Sequence, residues 1–422
     1  MYVPYIFRQF QGFKLKDIKE FRKKQHMELH LTATPERISL CRCCGLKLGS
    51  KRGEHIQRAK HLKCMGWTVT LVIPVSKREC LKCKKVRSEL IEFLCPATPH
   101  ITMDLAWWIN QFTEVSAALS VARLESVNKN TCYRVDKYIL QRMLQGFEIP
   151  NLRTIGVDEV HARSKKQLTR GETREDEFLT VIVDLQTHKV IWVGKSRRKE
   201  ALDQFFELLG KEACERIKVV ATDQHEGYGA SVRQYCENAC VVWDRFHLIQ
   251  NFNEALNEER KKEFNKIQGK DNDLQRLIRG KHRFLFTMKS GNRSKKNNAH
   301  IMDVIAQNKK FLAMELIKER IHMMFDSKHE EDAKEFLCDC YDWSLQAGLH
   351  YVKKWIWNIM GKEQFWNYFL HRYTTSVVEG INRAIKGLKW QAYGYKDMEY
   401  FALKIMQKCG YLNYRYYLDA TN

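Results

Sequence analysis

The strongest constraint on the fold is a change of hydrophobic periodicity after Pro150. Three short runs rich in β-branched residues come first, and strand-like and helix-like segments then alternate. The strand-like runs are TIGVDEV, FLTVIVDL, KVIWVGKS, IKVVATD and ACVVWD, and the helical segments between the last three are residues 199–209 and 228–236. This order predicts a mixed sheet covered by helices, an α/β core, over residues 153–247.

A long helical stretch interrupts this predicted core. Residues 248–372 are rich in Lys, Glu and aromatic residues and have a helical pattern almost throughout, and residues 373–411 are helical again. The first of these segments is long enough to form a subdomain of its own. We therefore predict a multidomain α/β protein with a large all-α insertion.

Two C-x-x-C pairs mark the region before this core. Cys41 and Cys44 form one pair and Cys80 and Cys83 the other, within a cysteine-rich segment at 41–95. A zinc ion takes four soft ligands in a tetrahedron, and C-x-x-C allows two thiolates of one turn to bind the same ion. The spacing predicts a structural Zn²⁺ knuckle; unrelated reduced cysteines and a redox pair are the alternatives. Residues 1–40 form a basic arm without an assigned structure.

Residues 101–149 have the pattern of three consecutive helices, and the last two follow the rhythm of a helix-turn-helix. Ala122 is small enough for the helix crossing and Val127 fills the turn, where Ser126 stands instead of the usual glycine. The second helix, about residues 130–140, would present a set of polar residues to a DNA major groove. This set is Lys129, Asn130, Tyr133, Arg134 and Lys137. A plain helical hairpin is the alternative.

The charge balance also indicates binding to nucleic acid. The chain has 72 Lys and Arg against 50 Asp and Glu, a formal charge of +22. Such an excess usually indicates a polyanionic partner, most often nucleic acid, because basic side chains displace the counterions of phosphates. No apolar run approaches the ~20 residues of a membrane helix, and no signal peptide is evident. We expect a cytoplasmic protein that binds DNA and has no membrane partner.

Three carboxylates are candidates for catalysis. Asp158 and Asp223 each end a strand-like run, and Glu379 lies on a predicted helix with Asn382 and Lys386 on the same face. Three carboxylates can hold two Mg²⁺ (or Mn²⁺) ions for displacement at phosphorus, and Asn382 and Lys386 could then contact DNA phosphates. Among 50 acidic residues, three well-placed ones can also arise by chance.

Asp244 and His247 form a further motif directly after the fifth strand-like run, in the string WDRFH. His247 could orient Asp223 or a substrate phosphate, with Asp244 fixing its tautomer. A buried histidine with satisfied hydrogen bonds is the alternative.

Taken together, these motifs resemble those of the IS-L-three family of bacterial insertion-sequence transposases. The resemblance rests on the paired C-x-x-C knuckle, the helix-turn-helix and five stretches of sequence, and it runs from about residue 41 to residue 411. The stretches are GVDE, TVIVDLQTHKV, TDQHEGYGASV, ACVVWDRFHLIQNFNEAL and SVVEGINRAIKGLKWQAYGYKDMEYFALKI. One departure from the family pattern is the segment 162–177, ARSKKQLTRGETREDE, which is longer and more charged than the usual turn after the first Asp.

The resemblance implies an RNase H-like core and a DDE mechanism, that is, metal-dependent cleavage at element ends and strand transfer into target DNA. It assigns Asp158, Asp223 and Glu379 to the metal triad, and Asp244 and His247 to an Asp-x-x-His feature. The partners would be double-stranded DNA, namely terminal repeats and target, and further copies of the chain in a homo-oligomer. The alternatives are a catalytically silent transposase acting as a DNA-binding regulator and a nuclease that cuts without joining.

Overall fold

The computed structural model describes residues 10–267, 272–278, 280–373 and 376–413, which form two compact units. The first unit comprises the described residues up to Glu148 and from Gly387 onward, and the second comprises those of Ile149–Lys386. The predicted segment 373–411 is therefore divided between the two units. No helix in the described ranges is long and apolar enough to cross a membrane.

The strands and helices of the described residues are numbered in chain order. The strands are β1 (Phe13–Phe21), β2 (His26–Ala33), β3 (Lys51–Cys64), β4 (Trp67–Cys80), β5 (Lys85–Ser88), β6 (Thr154–His161), β7 (Phe178–Asp184), β8 (Lys189–Lys195), β9 (Val219–Thr222) and β10 (Cys240–Trp243). The helices are α1 (Met103–Val115), α2 (Ala118–Leu124), α3 (Lys129–Gln145), α4 (Lys199–Leu209), α5 (Lys211–Arg216), α6 (Glu226–Tyr235), α7 (Arg245–Ile267), α8 (Asn272–Ile278), α9 (Lys295–Gln307), α10 (Lys309–Asp326), α11 (Glu330–Gln346), α12 (His350–Met360), α13 (Glu363–His371), α14 (Ser376–Gln391) and α15 (Met398–Cys409).

A five-stranded sheet forms the first part of the first unit, in the order β1-β2-β4-β3 with β5 also paired to β4. Its longest element is the antiparallel hairpin of β3 and β4. Met65 and Gly66 connect these strands with φ angles of 48° and 83°, which suits the twist of a two-residue hairpin turn. The predicted basic arm at 1–40, whose structure is not assigned from sequence, thus contributes β1 and β2 to this sheet.

Helices α1, α2, α3 and α15 complete the first unit. In the turn between α2 and α3, the Val127 amide donates to the Ala122 carbonyl at 2.9 Å. Ser126 adopts a φ of 53° there, the conformation for which glycine is the usual choice. Helices α2 and α3 and the turn between them thus lie where the sequence predicts a helix-turn-helix.

A buried polar cluster around Asp136 joins α15 to α1 and α3. The Asp136 carboxylate accepts hydrogen bonds from Asn110 at 2.8 Å, Thr113 at 2.7 Å and Tyr400 at 2.5 Å. The ammonium group of Lys404 lies 3.3 Å from the same carboxylate. Burial lowers the pKa of Lys404, while the Asp136 carboxylate opposes that shift. Because buried polar groups need partners, this cluster fixes the position of α15 within the unit.

The second unit contains a mixed sheet in the order β10-β9-β6-β7-β8. Strands β10, β9 and β6 are parallel, and β6, β7 and β8 are antiparallel. Helices α7 to α13 then fill the predicted insertion, and their buried side chains share one hydrophobic cluster with Val219 and Val242 of the sheet. The chain returns from this insertion as α14, so the predicted mixed α/β core with an all-α insertion is the architecture observed.

Candidate active site

Two of the predicted carboxylates lie at the ends of neighbouring strands. Strands β6 and β9 are parallel and in register, with Val157 paired to Thr222. Asp158 and Asp223 are the next residues along each strand, and neighbouring strands lie about 4.8 Å apart. The sheet therefore fixes both carboxylates at the same place along its edge.

Helix α14 packs on the same face of β6 as Asp158. Side chains alternate along a strand, so Gly156 and Asp158 share one face. A Cβ atom at Gly156 would lie 3.0 Å from a methyl group of Val378, so the missing side chain lets α14 approach closely. One helical turn further, the Asn382 amide donates to the Asp158 Oδ2 atom at 2.6 Å.

Glu379 lies between Val378 and Asn382 on this helix, but its carboxylate accepts a hydrogen bond from Arg383 at 2.5 Å. Within the described ranges, the quartet of Cys41, Cys44, Cys80 and Cys83 is the one group of three or more His, Cys, Asp and Glu residues whose ligand atoms all lie within 4.8 Å of one another. The structure therefore places Glu379 on the helix that contacts Asp158 without bringing the three carboxylates into one such group.

The pKa of the Asp223 carboxyl is raised at this edge. Burial raises its pKa, and the nearby Asp158 carboxylate raises it further, while a hydrogen bond from the His225 amide opposes both effects. Glu159 is affected similarly: burial raises its pKa, and Arg197, which donates to it at 3.1 Å, opposes the shift. Negative charge is thus concentrated at this edge, which is the electrostatic setting that a divalent cation relieves.

His247 meets Asp158 from the first turn of α7, and Asp244 directly precedes that helix. The His247 Nε2 atom lies 3.7 Å from Asp158 and 3.9 Å from Asp244. The Asp158 carboxylate raises the pKa of His247 to about 8, against the opposing effect of burial. Asp244 is only 2% exposed and accepts a hydrogen bond from the Phe246 amide at 3.1 Å, at the start of α7. The contact of His247 is therefore with Asp158, whereas the sequence analysis proposed Asp223 or a phosphate.

The four cysteines of the predicted knuckle come together in the first unit. The two C-x-x-C segments have the same backbone turn, because Gly45 and Lys84 each donate an amide to the carbonyl of the first cysteine at 2.9 Å. The amides of Cys44 and Cys43 lower the pKa of Cys41 to about 6, and hydrogen bonds with its neighbours raise that of Cys83 to about 12. Four thiolates repel one another so close together, and a bound cation would remove that repulsion. The geometry can hold a metal ion.

The predicted DNA-binding residues of α3 divide into two groups. Lys129, Asn130 and Arg134 are exposed. Tyr133 and Lys137 instead contact α15: the Tyr133 hydroxyl donates to Asp397 at 2.5 Å, and Lys137 lies 2.7 Å from the same carboxylate and 2.9 Å from Glu399. Those two side chains serve contacts within the unit, which differs from the expectation that they face a DNA groove.

The residues of α14 divide in a similar way. Asn382 is expected to contact DNA phosphates, but its amide is engaged with the Asp158 carboxylate. Lys386, one turn further along, is exposed, and its contact with a phosphate stays a prediction. The sequence analysis missed the partners Arg197 and Arg383, and only Arg383, four residues after Glu379, had a local signal in the i,i+4 spacing.

The raised pKa of His247 can be tested directly by NMR titration of the protein without added Mg²⁺ or Mn²⁺. We expect a midpoint near pH 8, and in Asp158→Asn a midpoint lowered towards 6.5, because burial is then opposed only by the charges of Asp244 and Asp223. The charged imidazole stabilises the fold below about pH 6.5, and this contribution is lost as the pH rises through about 8. The His247→Gln variant identifies the resonance, and a wild-type midpoint at or below 6.5 would contradict the described contact.

Comparison with known proteins identifies transposases in each case. A family model of ISL3-type DDE elements, described as a transposase, matches residues 155–405, more than half of the chain. The chain is 25% identical over 387 residues to the transposase for insertion sequence element IS1001 of Bordetella parapertussis, and the match covers 90% of each protein. It is also 31% identical over 115 residues to the transposase for insertion sequence element IS1557 of Mycobacterium tuberculosis (strain CDC 1551 / Oshkosh), covering 27% of this chain and 24% of that protein. The chain belongs to the ISL3 family of DDE transposases.

Proposed function

We propose that this transposase binds the ends of its insertion sequence and then cuts and joins DNA through a metal-dependent DDE mechanism. The observation that carries the proposal is the register of β6 and β9, which sets Asp158 and Asp223 side by side beneath α14. The sheet order agrees with it, since the first and fourth strands of the second unit are neighbours, as the resemblance to an RNase H-like core requires.

Asp158, Asp223 and Glu379 would hold Mg²⁺ (or Mn²⁺) ions. The crowding of negative charge on Asp223 fits this role, because a cation would relieve its repulsion by Asp158. When bound, two such ions activate a water or 3′-hydroxyl and stabilise the leaving oxygen of an in-line displacement. To bind such an ion, the Glu379 carboxylate would give up its hydrogen bond with Arg383.

The neighbouring side chains position these carboxylates. Asn382 holds one oxygen of Asp158, which leaves the other directed towards His247 and the backbone amide of Glu159. Asp244 fixes the first turn of α7 and thereby the location of His247. His247, charged below its pKa of about 8, adds a hydrogen-bond donor at the edge where a phosphate would be bound.

We assign end binding to the first unit. The cysteine quartet would hold a structural Zn²⁺, and the exposed Lys129, Asn130 and Arg134 of α3 would contact the terminal repeats. Lys386 is retained as a phosphate contact beside the catalytic carboxylates. Because two ends must be joined together, the active form would be a homo-oligomer with at least two copies of the chain.

The catalytic assignment is tested by Mg²⁺-dependent cleavage and strand transfer on the element's own ends. We expect Asp158→Ala, Asp223→Ala and Glu379→Ala each to lower both rates by ~10³-fold or more, because each removes charge that holds the ions. End binding measured without added Mg²⁺ or Mn²⁺ should remain close to wild type. Glu200→Gln, an exposed acidic position on α4, is the matched control and should keep full activity.

The outcomes of that assay separate the alternatives. Activity retained in all three variants would show that the triad is assigned to the wrong residues. A wild-type protein that binds the ends but neither cuts nor joins them would be a silent DNA-binding regulator, and one that cuts without joining would be a nuclease.

The zinc assignment is tested by measuring metal content and end binding together. We expect one zinc per chain in the wild type, and loss of that zinc with weaker end binding in Cys41→Ser and Cys80→Ser, because each removes one of the four ligands. Cys43→Ser is the matched control, since Cys43 lies in the same turn, is exposed and stands outside the quartet. Equal zinc content in Cys41→Ser and Cys43→Ser would contradict the assignment.

A further inference from the structure

The loop between β6 and β7, residues 162–177, carries five basic and four acidic side chains, a nearly balanced sequence. Its base is closed by backbone hydrogen bonds, in which the amides of Ala162 and Arg163 donate to the Glu177 carbonyl at 2.8 Å and 3.1 Å. Two short 3-10 turns within it, Lys165–Gln167 and Arg174–Glu177, each begin with a capping box. The loop therefore has a defined conformation built from its own side chains.

The acidic side chains of this loop are all engaged by residues of the loop base and the adjoining strands. Glu172 pairs with Arg163 and accepts the Thr169 amide at 2.7 Å. The remaining acids face three partners at or beside the sheet. Glu175 pairs with Arg197, Asp176 lies 3.1 Å from Arg198, and Glu177 lies 3.4 Å from His161.

The remaining basic side chains point outward. Lys165, Lys166, Arg170 and Arg174 are exposed, and none of them forms an ion pair with a residue in the described ranges. The pairing of the acids with other cations thus converts a nearly neutral sequence into a surface with four positive charges. We call these four side chains the loop cations.

Arg197 connects this loop to the catalytic edge. Its guanidinium lies over the Phe178 ring at 4.3 Å, pairs with Glu175 of the loop and donates at 3.1 Å to Glu159, the residue that follows Asp158. Strand β6 continues three residues beyond Asp158 to His161, which at ~3.4 Å per residue places the loop base about 10 Å along the strand. That distance equals about three base-pair steps of a DNA duplex, at ~3.4 Å per step.

We propose that the loop cations bind the phosphate backbone of the DNA duplex beside the phosphate that is cut. The proposal rests on the function proposed above, which places the scissile phosphate at Asp158 and Asp223. The contact would be independent of base sequence: the neutral polar side chains of the loop are used within it, and the comparison of two duplexes below tests whether Arg170 or Arg174 reads a base. Gln167 accepts the Ser164 amide at 2.9 Å, and the Thr169 hydroxyl donates to Glu172 at 2.8 Å. The loop would thus contribute affinity and hold the duplex in position, whereas α3 selects the ends.

The test is the salt dependence of DNA binding by the full chain, measured by fluorescence anisotropy without added Mg²⁺ or Mn²⁺ so that no cleavage occurs. Two duplexes are compared, one with an element end and its flanking sequence and one of unrelated sequence. The test variant is Lys165→Gln/Lys166→Gln/Arg170→Gln/Arg174→Gln, which changes exposed side chains only. The control Lys218→Gln/Lys309→Gln/Lys328→Gln/Lys354→Gln removes four exposed charges of the same unit outside this loop.

Each lost phosphate contact lowers the slope of log K against log salt by about 0.9 on duplex DNA. We expect the test variant to lose about 2 to 3.6 units of slope on both duplexes, with its preference for the element end unchanged, and the control to keep the wild-type slope. The four single variants should each lose up to about 0.9, which repeats the measurement with minimal change to the fold.

Equal slopes for the test variant and the control would overturn the inference. A lowered preference for the element end in the test variant would also overturn it, because the loop would then read sequence. Cleavage by the wild type is measured separately with Mg²⁺. Failure of that reaction refutes the proposed function, whereas an unchanged slope in a protein that cuts refutes only the role of the loop.

Discussion

The parallel pairing of β6 with β9 is the constraint on which the rest of the second unit depends. Its register brings Asp158 and Asp223 together, although 65 residues separate them in the chain. Neighbouring elements then converge on the same edge, because α14 packs over Gly156 and α7 begins directly after β10. A shift of one residue in either strand would turn one aspartate to the opposite face of the sheet.

The carboxylates at this edge have partners within the protein, and that of Asp223 is the His225 amide. Asn382 and His247 face Asp158, Arg383 binds Glu379, and Arg197 binds Glu159. These contacts make a dense cluster of acidic groups compatible with folding, since burying carboxylates without partners is costly. If Glu379 binds a metal ion, its contact with Arg383 would have to break.

Much of this arrangement could be predicted from local sequence patterns. The strand runs of the core, the helical insertion, the equal spacing of the C-x-x-C pairs and the turn before α3 all have short-range signals. The strands of residues 13–33 could not be assigned, because β2 pairs with β4 in parallel across a long separation in sequence. The contacts of Tyr133 and Lys137 could not be predicted for the same reason, because their partner Asp397 lies 264 and 260 residues away. Asn382 likewise lies 224 residues from Asp158. Amphipathic spacing shows which face of a helix a residue occupies but not which distant residue packs against it.

The central claim is that Asp158, Asp223 and Glu379 bind one metal centre, and metal-directed cleavage of the protein tests it most directly. Fe²⁺ replaces Mg²⁺ at carboxylate sites, and with ascorbate and peroxide it cuts the chain beside its ligands, which mass spectrometry can locate. We predict cuts near all three residues, suppressed by excess Mg²⁺ and absent in Asp158→Asn. Cuts near Asp158 and Asp223 alone would remove Glu379 from the centre, and the absence of cuts at both aspartates would contradict the account.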